Sequence, residues 1–212
     1  MTTRVQGEEH GTGRPAGARS LRVPTGRGSV LALIVAIVLL CSVPRAGGQS
    51  ETPTEYQIKA AFLYNFAKFV EWPADAFTDP HSPIVLGIVG EDPFGSDLDG
   101  IVYAKTVNGR GFMVKRLAPG PDLRTCHILF ISSSEKKRLA QILEQLKGSS
   151  VLTVGEMDRF VQSGGAVNFL LEQNRVRFEI NVDAAARARL KISSKLLALA
   201  RSVIDDRMTG ND

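Results

Sequence analysis

The chain has 212 residues and a formal net charge of +4, from 26 basic and 22 acidic side chains. The whole excess lies in residues 1–48, which hold six arginines and two glutamates, so residues 49–212 carry 20 basic and 20 acidic groups. A nucleic-acid-binding protein needs a positive field to displace counterions from phosphates. The neutral main part of the chain argues against that class of partner.

The N-terminal segment has the pattern of an export signal. Arginines precede an apolar run at residues 30–40, and Ala46-Gly47-Gly48 follow it. A run of this length is too short for a membrane-spanning helix, which needs about 20 residues, and it fits the core of a signal peptide. We expect residues 1–48 to be a cleaved signal peptide, with a lipoprotein at Cys41 and an uncleaved anchor as alternatives. Residues 49–54 are then a short polar lead-in, 55–206 one domain, and 207–212 a disordered tail.

The first predicted element of the domain is a helix over residues 55–70. Neither Gly nor Pro interrupts it, and apolar residues recur at helical spacing, namely Ile58, Phe62, Phe66 and Phe69. Thr54 is a candidate N-cap, and Pro73 disfavours helical geometry in the residue before it. Residues 56–77 hold seven of the chain's aromatic residues. They fit either a core helix packed on a sheet or an aromatic face that docks a partner.

The rest of the domain alternates between predicted strands and helices. Unbroken apolar runs at 83–90 and 127–132 predict strands buried on both faces, as in parallel sheets. Further strands are expected at 102–106, 112–117 and 151–154, with a hairpin at 166–171 and 175–181. Helices are expected at 96–101, 135–147, 156–162 and 183–189, and a last helix capped by Ser193 with one face formed by Leu196, Leu199, Ala200 and Val203. This order favours a three-layer α/β fold: a mainly parallel sheet, helices on both faces and an antiparallel edge hairpin.

The sequence contains no recognisable catalytic, cofactor or metal site. Lys105-Thr106 lacks the glycines of a phosphate-binding loop, and Ser193-Ser194-Lys195 lacks the spacing of a serine–lysine pair. His81 and His127 are not at metal-ligand spacing. Cys126 lies in an apolar run, is expected to be a buried small hydrophobic residue, and cannot form an internal disulfide alone. We therefore expect a protein that is not an enzyme and carries no cofactor.

A crevice at one end of the sheet is the small-molecule site that this fold would offer. Ligands of parallel α/β sheets commonly bind at the carboxyl ends of the strands. The loops after the two apolar strands would line that crevice with Glu91, Asp92, Ser132 and Ser133. A small-molecule sensor or binding module without catalytic activity is therefore one hypothesis for the function.

Several blocks of sequence occur in an order that resembles the YfiR family of periplasmic proteins. They lie at residues 56–73, 90–95, 126–132, 152–154, 164–165, 177–181 and 190–197. The first block, which ends in Phe69-Val-Glu-Trp-Pro73, and the last, Leu190-Lys-Ile-Ser-Ser-Lys-Leu-Leu197, are the most specific. The resemblance extends over about residues 54–205.

The resemblance implies a periplasmic regulatory protein that represses a membrane-bound diguanylate cyclase by protein–protein contact, so that relief of repression raises cyclic di-GMP and favours biofilm. Its partner would be the periplasmic region of that inner-membrane protein, and a homodimer stays open. Binding energy should concentrate in aromatic anchors, for which Tyr64, Phe69 and Trp72 are the candidates. Once residues 1–48 are removed, Cys126 is the one cysteine left, so the mature chain departs from family members that use disulfides. It also departs at Arg189, where the family often has a small residue.

Overall fold

The structure, a computed structural model, describes residues 53–205 apart from the side chain of Pro121. The expected signal peptide, most of the polar lead-in and the expected tail lie outside the described residues. Within residues 53–205, no helix has the length and apolar character needed to cross a membrane.

Five α-helices and nine strands form the described part of the chain. The helices are α1 (Glu55–Phe69), α2 (Ser96–Val102), α3 (Leu139–Gln145), α4 (Val182–Arg187) and α5 (Ser194–Leu197). The strands are β1 (Val70–Glu71), β2 (Ile84–Val89), β3 (Phe112–Leu117), β4 (Ile128–Ile131), β5 (Leu152–Gly155), β6 (Val167–Glu172), β7 (Arg175–Asn181), β8 (Lys191–Ile192) and β9 (Ser202–Ile204). Short 3-10 helices lie at Ala74–Ala76, Pro121–Thr125 and Ser133–Arg138.

Seven of these strands form one mixed, mostly parallel sheet in the order β3-β2-β4-β5-β6-β7-β9. The strands from β3 to β6 are mutually parallel, whereas β7 is antiparallel to β6. The predicted α/β fold class is therefore confirmed, and the predicted hairpin is β6–β7. The three-residue strand β9 pairs with β7 outside that hairpin, and β1 and β8 form a separate two-stranded antiparallel sheet.

Two apolar cores explain why the central strands β2 and β4 contain no polar residue. Along β4, Ile128 and Phe130 belong to the larger core with α1, while Leu129 and Ile131 belong to the smaller core with α3. Successive side chains of a strand point to opposite faces, so a strand covered on both faces buries every side chain and favours apolar residues. The buried Thr153 of β5 is accommodated because its hydroxyl accepts a hydrogen bond from the Ala166 amide at 2.9 Å. The buried side of α1 consists of Lys59, Ala60, Leu63, Phe66 and Ala67.

Both predicted N-caps are confirmed. Thr54 and Gln57 form a capping box: the Thr54 hydroxyl accepts a hydrogen bond from the Gln57 amide at 3.2 Å, and the Gln57 side chain accepts one from the Thr54 amide at 3.0 Å. The Ser193 hydroxyl accepts from the Leu196 amide at 3.3 Å. These side chains satisfy amide groups that the first turn of a helix leaves unpaired.

Two predicted elements in the middle of the domain are wrong. The strand expected at 102–106 is replaced by the end of α2 and a turn in which Ala104 has a φ of +53°. The helix expected at 156–162 is a series of turns. There, Arg159 has a φ of +59°, which is outside the range of a right-handed helix, and the Met157 amide donates to the side chain of Asn168 at 3.1 Å.

The helices near the C-terminus also differ from the prediction. The helix expected at 135–147 is divided into a 3-10 helix, Ser133–Arg138, and α3. The predicted last helix ends at Leu197, Leu199 is exposed, and Val203 lies in β9 opposite Ile180. Pairing with β7 replaces helical hydrogen bonds there.

The departure of Arg189 from the family pattern coincides with a special backbone conformation. Arg189 has a φ of +60°, a region that glycine adopts with less strain because it has no Cβ atom. Its guanidinium donates to both carboxylate oxygens of Asp75, at 2.9 and 3.0 Å. This exposed ion pair gives the arginine a role at a position where its backbone is disfavoured.

Candidate functional site

An open groove lies between α1 and α2. It has a volume of about 650 Å³, which falls within the range of roughly 300–1,000 Å³ usual for ligand sites. We call it the α1–α2 groove; its lining residues are Pro53, Gln57, Ile58, Ala61, Phe62, Asn65, Ser96, Asp97, Gly100 and Ile101. The five α1 residues in this set share one side of the helix because they recur at helical spacing. Most of the wall is apolar, and Asp97 supplies its carboxylate.

The wall of the groove is rigid on the α1 side. The Phe62 ring lies 5.3 Å from that of Phe178, 6.1 Å from that of Phe66 and 6.1 Å from that of Phe169, measured between ring centroids. Aromatic pairs at these distances stabilise each other beyond the area they bury. Phe62 is therefore held in place by the core while one side of it faces the groove.

A buried ion pair fixes α1 against the loop that follows β5. Lys59 is 4% exposed, and its ammonium donates to a carboxylate oxygen of Glu156 at 2.6 Å and also pairs with Glu55. The Tyr56 hydroxyl donates to the other Glu156 oxygen at 3.4 Å. Burial lowers the pKa of Lys59, but hydrogen bonds to Glu156 and Glu55 outweigh burial, so this pKa lies above its usual value. The amine is a charged structural group that orients α1.

The three aromatic candidates are all half-buried against the larger core. The Tyr64 ring lies 5.7 Å from that of Phe112 on β3, and the Lys68 ammonium lies 5.8 Å from the centre of the Phe69 ring. Trp72 follows β1, and none of the three lines the α1–α2 groove. Their role as partner-binding residues remains a prediction.

Trp72 and His127 belong to a packed cluster at the amino end of β4. The Trp72 indole N–H donates to the His127 carbonyl at 3.2 Å. The His127 Nδ1 accepts from the Val85 amide at 3.0 Å, its Nε2 lies 3.0 Å from the Ala76 carbonyl, and its ring stacks on Phe77 at 4.3 Å. Burial lowers the pKa of His127, so the ring is neutral. The residues next to His127 in sequence do not predict these contacts, because Val85 and Ala76 lie 42 and 51 positions away.

The serines of the predicted crevice lie at the carboxyl end of β4, beside the loop after β2. Ser132 is buried, and its hydroxyl accepts from the Ser134 hydroxyl at 3.2 Å and caps the following 3-10 helix. The Glu91 amide donates to the Ser134 hydroxyl at 2.9 Å. Ser133 and the Glu91 side chain are exposed. Ser134, which the sequence analysis passed over, is the residue that joins the two loops.

Asp92, the fourth crevice residue, is engaged by neighbouring groups. One carboxylate oxygen accepts from the Phe94 amide at 2.8 Å, and the other accepts from the Arg116 guanidinium at 2.9 Å. Arg116 also binds Asp99 at 2.6 Å. Hydrogen bonds from the guanidinium hold the pKa of Asp99 below its usual value. Among residues 53–205, no group of three or more His, Cys, Asp or Glu side chains is placed to hold a metal ion.

Cys126 is buried, as expected, and is the free cysteine of the described region. Burial raises the pKa of its thiol to about 11. A thiol with this pKa is protonated at neutral pH and is a weak nucleophile. Cys126 therefore acts as a packing residue of the smaller core.

These features define a class: a small α/β domain with a mostly apolar groove between α1 and α2, in which buried polar groups serve the fold. Residues 56–201 match the family model described as YfiR/HmsC-like, and the chain belongs to that family. The family is periplasmic and regulatory, and it is not a family of enzymes.

Two solved structures match part of the chain. A conserved domain protein from Vibrio cholerae O1 biovar El Tor is 10% identical with a TM-score of 0.48, and the match covers 71% of this chain and 60% of that chain. The ABC domain in complex with L-Trp from Streptococcus pneumonia is 12% identical with a TM-score of 0.43, over 57% of this chain and 55% of that chain. The chain thus spans 60% of the length of the Vibrio protein. No functional conclusion follows from either match.

Proposed function

We propose that this protein is a periplasmic repressor that binds the periplasmic region of a membrane-bound diguanylate cyclase and thereby lowers cyclic di-GMP. Membership of the YfiR/HmsC-like family supports the regulatory role. The observation that carries the binding role is the α1–α2 groove, an open recess of about 650 Å³ with a mostly apolar wall. Apolar anchors that enter such a recess supply most of the binding energy of a protein–protein interface.

The groove is suited to binding because its wall is already ordered. Phe62 is fixed by contacts with three other phenylalanines, and the Lys59–Glu156 ion pair holds α1 against the loop after β5. A partner that meets a rigid surface pays less conformational entropy on binding. Tyr64, Phe69 and Trp72 would act as additional anchors where their exposed parts border the interface.

The test places a large cation in the groove. Ala61→Arg should abolish repression, because the arginine would fill the recess and bring a charge against its apolar wall. Leu199→Arg is the matched control, since Leu199 is 61% exposed and lies outside the groove. Cyclic di-GMP in cells that carry Ala61→Arg should rise to the level of a deletion strain, whereas the Leu199→Arg strain should match wild type.

Two outcomes would count against the proposal. The first is an Ala61→Arg protein that gives a wild-type circular dichroism spectrum and represses fully. The second is a deletion strain whose cyclic di-GMP equals that of wild type, because repression would then not exist. The Trp72 indole N–H already donates to the His127 carbonyl. If a Trp72→Phe variant still represses, this N–H is not among the groups that bind the partner.

A second candidate function is a small-molecule sensor, which the volume of the groove favours. A bound metabolite would raise the melting temperature of wild type and not that of Ala61→Arg. In the crevice of Glu91, Asp92, Ser132 and Ser133, the Asp92 oxygens and the Ser132 hydroxyl already have partners. A ligand in the crevice would have to compete with those bonds. The α1–α2 groove is therefore the better candidate for a small-molecule site.

A further inference from the structure

Strand β3 leaves one edge of the seven-stranded sheet open. It pairs with β2 and with no other strand of the described chain. The Gly111 carbonyl accepts a hydrogen bond from the Ile84 amide at 2.9 Å. Gly111 and every second residue after it, Met113 and Lys115, therefore bond to β2. Because alternate residues of a parallel strand bond to the same neighbour, the amide and carbonyl groups of Phe112, Val114 and Arg116 point outward. Such a row of unpaired groups is a template for another strand.

A hollow adjoins this edge on the face that carries α1 and α2. It has a volume of about 380 Å³ and lies between Phe112 and Val114 of the strand and the turn that contains Tyr103 and Lys105. We call it the edge hollow. Tyr103, which lines the edge hollow, is 82% exposed, so its ring is free to contact an incoming segment. A strand added to β3 would point every second side chain toward this face, so one of them could enter the hollow.

The charges beside the edge hollow favour an acidic partner. The ammonium groups of Lys105 and Lys68 lie 4.6 and 5.6 Å from the centre of the Tyr64 ring, and neither forms an ion pair within residues 53–205. The carboxylate that lines the hollow, Asp99, is already bound by two nitrogens of Arg116, at 2.6 and 3.1 Å. The two lysines are therefore the charges available to an incoming side chain.

We propose that the outer edge of β3 accepts an extended acidic segment of another protein as an eighth strand, with one side chain in the edge hollow and a carboxylate near Lys105. Backbone hydrogen bonds would supply affinity, and the hollow and lysines would supply selectivity, as in other cases of strand addition. A second copy of this chain is a poorer occupant, because β3 contains Lys115 and Arg116 and no carboxylate. The edge hollow and the α1–α2 groove share no lining residue, so the two surfaces can act independently.

The test uses a synthetic peptide of alternating valine and glutamate, about ten residues long so that it exceeds a typical strand. Amide hydrogen exchange followed by NMR should slow at Phe112, Val114 and Arg116 when the peptide is added. Exchange at Met113 and Lys115, whose amides already bond to β2, should stay as it was. A peptide of alternating valine and lysine is the matched control and should leave all these rates unchanged.

Two surface variants locate the binding and its charge dependence. Lys105→Glu should lower the affinity for the acidic peptide by about fivefold or more, because an attraction worth up to about 1 kcal/mol becomes a repulsion. Ala61→Arg, in the α1–α2 groove, should bind the acidic peptide as wild type does. Unchanged exchange at the three outward amides with millimolar acidic peptide would overturn the proposal. Equal binding of the acidic and basic peptides, or loss of binding in Ala61→Arg alone, would overturn it as well.

Discussion

Protonation of His127 should destabilise the fold as the pH falls below 6.5. The side chain is 6% exposed, and both ring nitrogens have backbone partners. Because Nδ1 accepts a hydrogen bond from the Val85 amide, the proton of the neutral ring is on Nε2, which donates to the Ala76 carbonyl. A second proton on Nδ1 would turn this acceptor into a donor that faces the Val85 N–H. The buried amide would then have no partner.

The sign and size of the effect follow from this geometry. Burial lowers the pKa of His127 below its usual 6.5; the hydrogen bond to Ala76 opposes this shift, and the charge of Arg110 adds to it. The unfolded chain therefore binds the proton more tightly than the folded one, so this part of the stability is complete above pH 6.5 and is lost as the pH falls toward the folded pKa. An unsatisfied buried amide costs about 1–3 kcal/mol, and we expect a loss of that order in the free energy of unfolding.

Urea unfolding followed by circular dichroism at about pH 7.5, 6.5, 5.5 and 5 measures the loss. Trp72 is the single tryptophan of the chain and lies 6.3 Å from the His127 ring, so its fluorescence should report the protonation of the folded state. His127→Asn keeps an acceptor near the Val85 amide and should remove this part of the pH dependence. His81, which is exposed, supplies the control: the His81→Gln variant should keep the pH dependence of wild type. If wild type and His127→Asn lost the same stability between pH 7.5 and 5, the assignment to His127 would be refuted.

Three further substitutions test how the interior is held, each by urea unfolding against wild type. Glu156→Gln should destabilise the fold by about 1–3 kcal/mol, because buried Lys59 would lose a charged hydrogen-bond partner; an unchanged midpoint would show that the pair contributes nothing. Gly165→Ala should cost about 1–3 kcal/mol, because the new methyl group would overlap the Phe160 ring. Gly100→Ala, within α2 and with no atom near the new methyl group, should instead stabilise by about 0.5–1 kcal/mol; equal signs for the two glycines would contradict this reasoning.

Elements with a strong local signal were predictable. The apolar runs predicted β2 and β4 because burial on both faces of a strand favours apolar residues throughout. Thr54 marked the start of α1 because its hydroxyl replaces a missing carbonyl acceptor. The failed predictions lie where a tertiary contact decides the backbone. Met157 is held by the side chain of Asn168, and Val203 belongs to a strand because β7 offers it a ladder of hydrogen bonds.

The candidate site was less accessible to sequence reasoning. The aromatic pattern predicted helix α1. Which side of α1 faces the α1–α2 groove depends on where α2 packs, and the sequence does not show that. Lys59 falls on the buried side of α1, at helical spacing from Leu63 and Phe66, which could have drawn attention to it. Its partner Glu156 is 97 residues further along the chain, so nothing local predicts the pair.

The sequence by itself determined the neutral main part of the chain, its first helix and its apolar central strands β2 and β4, and the family to which it belongs, because charge, periodicity and motif are properties of neighbours along the chain. The tertiary structure decided which lysine is buried, which histidine has both ring nitrogens bonded, where the α1–α2 groove opens and which strand is left at the edge of the sheet. Those features join residues far apart in sequence, and a contact between distant residues exists only once the chain has packed.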